Sequence, residues 1–215
     1  MTRLLLCLCF ALVACKSAPP EEFIDLGPLP PWTFTDETGK PFGSDQLQGR
    51  PWVANFLFTS CPTSCPPLAR ATAGLQTRVQ KWLPEGPAPL AIVSVTVDPV
   101  TDTPAVLAEF GRKYGADPRI WKLVAGPYAD MERLVTDGFM MPILRRDRPP
   151  SASRVNEDKT GTPPESPVTS RPTPLDTAHS LRFVLVDAKG HIRGLYDQTP
   201  ASLDKLDAAL QYLLH

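Results

Sequence analysis

The chain has 215 residues, of which 42% are hydrophobic and 21% charged, with a formal net charge of −1. That length and balance suit one domain able to bury its own core without disulfide staples. The near-neutral charge argues against a polyanion partner, so no nucleic-acid partner is expected.

The chain opens on a leader. Arg3 supplies a short positive segment, Leu4 to Val13 is an apolar run, and Leu12-Val13-Ala14-Cys15 sets small residues before a cysteine, the pattern of a bacterial lipoprotein cleavage site. The run is well short of the ~20 residues a spanning helix needs. Residues 1–14 are therefore expected to be a signal peptide that carries Cys7 and Cys9 away. Cys15 would become the lipid-modified first residue, held to a membrane surface by acyl chains. An uncleaved anchor or an ordinary secretory leader is the alternative. In each case the domain is exported, to the periplasm or cell exterior, where thiols tend to oxidise.

The 26 prolines fall mainly into two clusters. Pro19, Pro20, Pro28, Pro30 and Pro31 mark residues 15–31 as an extended tether before the domain at 32–215. Beyond the tether, Trp32 to Thr35, a turn at Asp36 to Gly39 and a return toward Phe42 predict an N-terminal hairpin. Val53 to Phe58 is a mostly apolar run suited to a strand buried on both faces. A helix is predicted from near Pro66 to about Trp82, with Leu68, Leu75, Val79 and Trp82 facing inward. Leu90 to Val97 reads as a second buried strand. Thr103-Pro104 then caps and opens a helix through Tyr114. Trp121 to Ala125 is a third strand, followed by a helix near Tyr128 to Thr136.

The second proline cluster lies in the polar stretch Arg145 to Leu175, which has too little apolar surface to offset the entropy of ordering and is expected to be a disordered insertion. It is read equally as a neutral surface loop or as a regulatory or partner-contacting one. Leu181 to Val186 and His191 to Tyr196 then flank the turn Asp187-Ala188-Lys189-Gly190, and Ser202 to Leu214 forms a last helix. This alternation, closed by an antiparallel hairpin, predicts an α/β, thioredoxin-like mixed sheet with flanking helices.

In that arrangement Cys61 and Cys65 follow the first buried strand and lie beside the amino end of the next helix. The helix terminus favours anions, so it promotes thiolates, the form that attacks disulfides and binds metals. Three intervening residues let the sulfurs meet, so a disulfide and a shared metal ion are both feasible; a purely structural disulfide is the plainer alternative. Pro62 and Pro66 are expected to push both cysteines out of regular helix and into a shaped loop. Two thiolates and an imidazole would suit copper, especially Cu(I), and the sulfurs would also accept zinc. His179, directly before the strand at Leu181, is the candidate third ligand. His191 is expected to be a solvated strand residue, and His215 ends the chain. Met140-Met141 are soft donors but are read as core packing beside Phe139. Trp32, Trp52, Trp82 and Trp121 sit in or next to predicted elements and need no ligand to explain them.

Three stretches together resemble the Sco/SenC family. They are Phe58-Thr59-Ser60-Cys61-Pro62-Thr63-Ser64-Cys65-Pro66, Ser94-Val95-Thr96-Val97-Asp98-Pro99-Val100-Thr101-Asp102-Thr103-Pro104, and His179-Ser180-Leu181 leading to Leu185-Val186-Asp187-Ala188-Lys189-Gly190. The resemblance runs from roughly Phe34 to the C-terminus. It implies a thioredoxin-fold metallochaperone that delivers copper, as Cu(I) or Cu(II), to the binuclear centre of cytochrome c oxidase, with Cys61, Cys65 and His179 as ligands. Its implied partner is the copper-centre subunit of that oxidase or another periplasmic copper chaperone. Asp98 and Asp102 match the family's aspartate-rich segment; capping of the following helix is the favoured role, and support of the metal site the sharper one. The insertion before His179 departs from the family pattern.

A second class of function is an enzyme. The same dithiol would serve a thiol-disulfide oxidoreductase that reduces an acceptor's cysteines. Phe58-Thr59 and Cys61-Pro62-Thr63 also resemble peroxiredoxins, although Thr59 stands one residue too near Cys61 and an expected earlier proline is missing. A surface-tethered copper store or sensor is a third reading.

Overall fold

The computed structural model describes residues 19–20, 23–82, 88–141 and 181–214. The leader, Cys15, the predicted insertion, His179 and His215 lie outside the described residues.

The strands are β1 (Thr33–Asp36), β2 (Pro41–Gly43), β3 (Trp52–Leu57), β4 (Ala91–Thr96), β5 (Trp121–Ala125), β6 (Phe183–Val186) and β7 (Ile192–Tyr196). They form one sheet in the order β2-β1-β5-β4-β3-β6-β7. The two central pairs, β3 with β4 and β4 with β5, are parallel, as their strand-helix-strand connections require. The remaining pairs are antiparallel. All six residues of β3 and all six of β4 are buried, the signature of strands covered on both faces.

The predicted hairpins form because their turns have local hydrogen-bond partners. Asp36 Oδ1 accepts from the backbone N–H groups of Thr38 and Lys40, which closes β1 onto β2. Asp187 Oδ1 does the same for Lys189 and His191, and Gly190 supplies the left-handed residue at φ 84°.

Each face of the sheet carries its own core. On one side α2 (Cys65–Gln80), α3 (Pro104–Lys113) and α5 (Pro200–Leu214) pack Leu68, Leu75, Val79, Leu107 and Leu210 against Val53, Leu57 and Ile92. Trp82, expected on the inner side of α2, lies just past its end and is partly buried. On the other side Trp32, Phe34, Trp52, Phe56 and Val95 meet Met131 from α4 (Tyr128–Arg133) and Leu134 and Val135 from a π-helical turn at Leu134–Gly138. A short helix, α1 (Ser44–Leu47), joins β2 to β3.

Three expectations are corrected by this packing. Of the Phe139-Met140-Met141 cluster read as core, Phe139 is buried with its ring centroid 4.9 Å from that of Phe56, but Met140 is 52% exposed and has φ 54°. The left-handed backbone that ends the π-helical turn points that side chain outward. Residues 23–29, expected to belong to an extended tether, run beside β7 and its turn. Ile24 and Leu26 donate N–H groups to the Arg193 and Ile192 carbonyls, and Phe23 packs edge-on against Tyr212. Asp25 hydrogen-bonds His191 and forms an ion pair with Arg193, so the histidine expected to be merely solvated is half-buried against the N-terminal segment.

Candidate functional site

Two parallel crossovers place the carboxyl ends of β3, β4 and β5 at one edge of the sheet, and the cysteine loop leaves from the end of β3. Cys61 donates its backbone N–H to the Phe58 carbonyl at 3.3 Å, which turns the chain back over the strand end. Ser64 is the N-cap of α2, but its hydroxyl does not cap; it lies 3.2 Å from Cys61 Sγ. The sulfur of Cys61 takes the capping position instead, accepting the Cys65 N–H at 3.3 Å. Cys65 is the first residue of α2, not a loop residue as the flanking prolines suggested. Pro66 and Pro67 are tolerated there because first-turn N–H groups have no intrahelical partner to lose.

Both thiols are free and nearly closed to solvent, at 7% exposure for Cys61 and 4% for Cys65. Their acidities diverge. Burial opposes ionisation of Cys61, but hydrogen bonds from Ser64 and from the Cys65 and Thr63 N–H groups outweigh it and lower the pKa from 9.0 to about 6. Burial dominates at Cys65 and raises its pKa to about 12; the adjacent Cys61 sulfur adds to the rise, and the Phe58 N–H, at 3.5 Å, offsets only part of it. At neutral pH the site thus holds one thiolate and one thiol side by side.

Asp98 and Asp102, expected mainly as helix caps, do not cap. Thr103 does, accepting from the Val106 N–H at 3.4 Å, as its position before Pro104 predicted. Asp98 shapes the turn after β4: its carbonyl accepts from Thr101 and Asp102, and its N–H donates to Thr96 Oγ1. Asp102 is fully buried and reaches across to the cysteine loop. It accepts the Thr59 N–H at 3.1 and 3.3 Å and the Thr59 hydroxyl at 2.5 Å, and the Thr96 hydroxyl also donates to it.

Sequence reasoning missed a second buried polar chain. Trp121 Nε1 donates to Ser94 Oγ, Ser94 Oγ to Asn55 Oδ1, Asn55 Nδ2 to Thr72 Oγ1, and Thr72 Oγ1 to the Leu68 carbonyl in the second turn of α2. It ties the cysteine-bearing helix to the three central strands. The available signal was Asn55, a polar residue inside an otherwise apolar strand, which needs partners when buried.

The donor chemistry fits a soft metal ion: two adjacent sulfurs, one of them already ionised, just beneath the surface at the end of the central strands. Among the described residues no group of three or more His, Cys, Asp or Glu side chains could hold a metal; His179, the expected third ligand, lies outside them. No helix among the described residues is long and apolar enough to cross a membrane.

A mixed sheet with a dithiol at the helix amino terminus after its first central strand defines a thioredoxin-like dithiol protein. The SCO1/SenC family model matches residues 28–160. The chain belongs to the SCO1/SenC family. It is 36% identical over 96 residues to an SCO1 protein homolog of Bacillus subtilis, a match covering 45% of this chain and 48% of that protein. The chain thus spans about half the length of that relative. It is also 28% identical over 189 residues to a putative copper-binding protein of Stutzerimonas stutzeri, covering 86% and 76% of the two chains. Among solved structures it is similar to a SCO1/SenC family lipoprotein from Bacillus anthracis, with TM-score 0.66, 26% identity and coverage of 91% and 98%. BsSco, a member of the Sco family of cytochrome c oxidase assembly proteins, shares the fold with TM-score 0.68 at 21% identity, with coverage of 92% and 98%.

Proposed function

We propose that the protein is an exported metallochaperone that binds one copper ion through Cys61, Cys65 and His179 and passes it by ligand exchange to the cysteines of an acceptor in cytochrome c oxidase assembly. The observation that carries this reading is the Cys65 N–H to Cys61 Sγ contact at 3.3 Å. It brings two reduced sulfurs together at one end of the sheet, just beneath the surface. Family membership and the copper-binding description of the Stutzerimonas relative support the metal. A thiolate at Cys61 near neutral pH means that binding releases a proton chiefly from Cys65, so copper affinity should rise with pH. Oxidation to a Cys61–Cys65 disulfide removes both sulfur donors, so loading depends on redox state. The lipid anchor at Cys15 and the tether beyond it would keep the domain at a membrane surface, as the lipoprotein relative's description supports.

The test is titration of the reduced domain with Cu(I) and Cu(II), read by thiolate charge-transfer absorption and spin resonance. One copper per chain is expected, with stoichiometry or affinity reduced in Cys61→Ser and His179→Ala. Unchanged binding in both variants would reject the assigned site.

The contrast in acidity favours a second reading, compatible with the first, in which Cys61 attacks an acceptor disulfide and Cys65 resolves the mixed disulfide. A low-pKa attacking thiol beside a resolving thiol is the arrangement this chemistry uses. Copper-free reduction of an acceptor peptide disulfide supports it, whereas peroxide turnover by the same reduced domain would point to a peroxidase.

A further inference from the structure

The loop that carries Cys61 has little regular structure to hold it, yet one of its peptide groups is held at both ends. The unit joining Phe58 to Thr59 contributes the Phe58 carbonyl and the Thr59 N–H, and these lie in one plane. The carbonyl accepts the Cys61 N–H at 3.3 Å. The N–H donates to both oxygens of Asp102, and the Thr59 hydroxyl adds a third contact at 2.5 Å. Asp102 is anchored in turn by the Thr96 hydroxyl at the end of β4 and stands 43 residues from Thr59 in sequence. On the other side of the loop, the Phe58 N–H reaches Cys65 Sγ. The Phe58 main chain is therefore in contact with both cysteines, through its N–H to Cys65 and its carbonyl to Cys61, and the peptide group that carries the carbonyl is held by one carboxylate.

That carboxylate is fully buried and has no ion-pair partner among the described residues; it accepts hydrogen bonds from the Thr59 N–H and two threonine hydroxyls. Burying a carboxylate this way carries a desolvation cost that an apolar side chain would not. Neutral donors placed at fixed angles, however, define position more sharply than apolar packing does.

We infer that Asp102 is the positioning residue of the dithiol: through the Phe58–Thr59 peptide group it fixes Cys61 relative to Cys65 and so sets how readily the two sulfurs act as a pair. The inference rests on the proposed pairing of these thiols but not on copper. Without the carboxylate the peptide group can rotate and the Cys61 sulfur spends less time in reach of Cys65. The thiol pair then closes less readily when it gives two electrons and two protons to glutathione disulfide, which becomes two glutathione thiols.

The test is the equilibrium of the metal-free protein with a glutathione redox buffer, read by mass spectrometry after acid quench and alkylation. Asp102→Ala is expected to shift the equilibrium about tenfold toward the dithiol, equivalent to about 30 mV for a two-electron couple. Asp102→Asn, which keeps a carbonyl oxygen for the Thr59 N–H, should recover most of that shift. Leu134→Ala, in the core on the opposite face, serves as a control for general softening and should leave the equilibrium within twofold. Equal shifts in Leu134→Ala and Asp102→Ala, or none in a folded Asp102→Ala, would overturn the inference. If Asp102→Ala does not fold, Thr59→Val carries the test: loss of the hydroxyl contact should shift the equilibrium about threefold the same way, and no shift overturns it. Because no metal is present, failure of copper binding leaves this result untouched, and an unshifted equilibrium leaves the copper site untouched.

Discussion

Cys61 and Cys65 stand four residues apart, both shielded from water and both at the start of one helix, yet they are set to opposite states. Cys61 occupies an irregular loop, and its sulfur collects donors from Ser64, Cys65 and Thr63. Cys65 belongs to the helix itself and packs among Leu68, Leu57 and their neighbours, where burial outweighs its contacts with Ser64 and with the Phe58 N–H at 3.5 Å. The difference teaches that proximity to a helix amino terminus does not by itself make a thiolate. What decides is the balance between burial and the N–H and O–H groups that point at the sulfur: the donors win at Cys61, one turn before the helix, and burial wins at the first helical residue.

The largest expected effect follows from linkage. The Cys61 pKa falls from 9.0 to about 6 on folding, so between those values the unfolded chain binds more protons and stability rises with pH. The contribution is fully present above pH 9 and lost as pH falls through 6. Cys65, raised to about 12, has the opposite sign: its contribution is present below pH 9 and is lost as pH rises toward 12. Urea unfolding of the reduced protein should therefore gain about 3 to 4 kcal/mol between pH 6 and 9 from Cys61 alone. Cys61→Ser should abolish that rise while keeping the decline above pH 9; a rise that survives the substitution would break the contrast.

Next comes the apolar setting of Cys65. Leu68 is fully buried one turn along α2, and Leu68→Ala should cost about 3 kcal/mol in denaturant unfolding by opening a cavity under the helix start. The same variant should leave the pH midpoint of Cys61 alkylation in place, since none of its donors comes from Leu68.

Alkylation by iodoacetamide at pH 7 should mark Cys61 over Cys65 by on the order of 10²-fold. Thiolate populations differ by far more, but the more basic sulfur is intrinsically the better nucleophile and recovers part of the gap. Peptide mapping after partial labelling gives the ratio directly, and equal labelling would contradict the assignment of donors. The smallest effect belongs to Ser64→Ala. Loss of one hydrogen bond to the sulfur, about 1 kcal/mol, should raise the alkylation midpoint of Cys61 and slow labelling at pH 6 roughly threefold. A midpoint left where it was would mean that the Cys65 and Thr63 N–H groups suffice.

Much of the architecture was legible before any coordinates. Trp121–Ala125 is the strand predicted, Thr103 is the cap predicted, and the hairpins turn at Asp36 and Asp187 because those side chains satisfy backbone donors within a few residues. The dithiol and its place after the first buried strand were equally readable. Asp102 was not: as a cap it would act on its own helix, but it acts on a loop 43 residues away. Met140 was misjudged because composition records its apolarity and not the φ of 54° that turns it outward.

Sequence by itself determined the order of strands and helices, the identity of the two sulfurs and the family pattern around them, since these follow from periodicity, turn chemistry and spacing along the chain. Only the tertiary structure decided which sulfur is the thiolate, that Cys65 opens α2, and that Asp102 and Asn55 hold the site from two sides. Those outcomes depend on where individual hydrogen-bond donors end up once the sheet has closed, and that is a property of contacts between residues far apart in the chain.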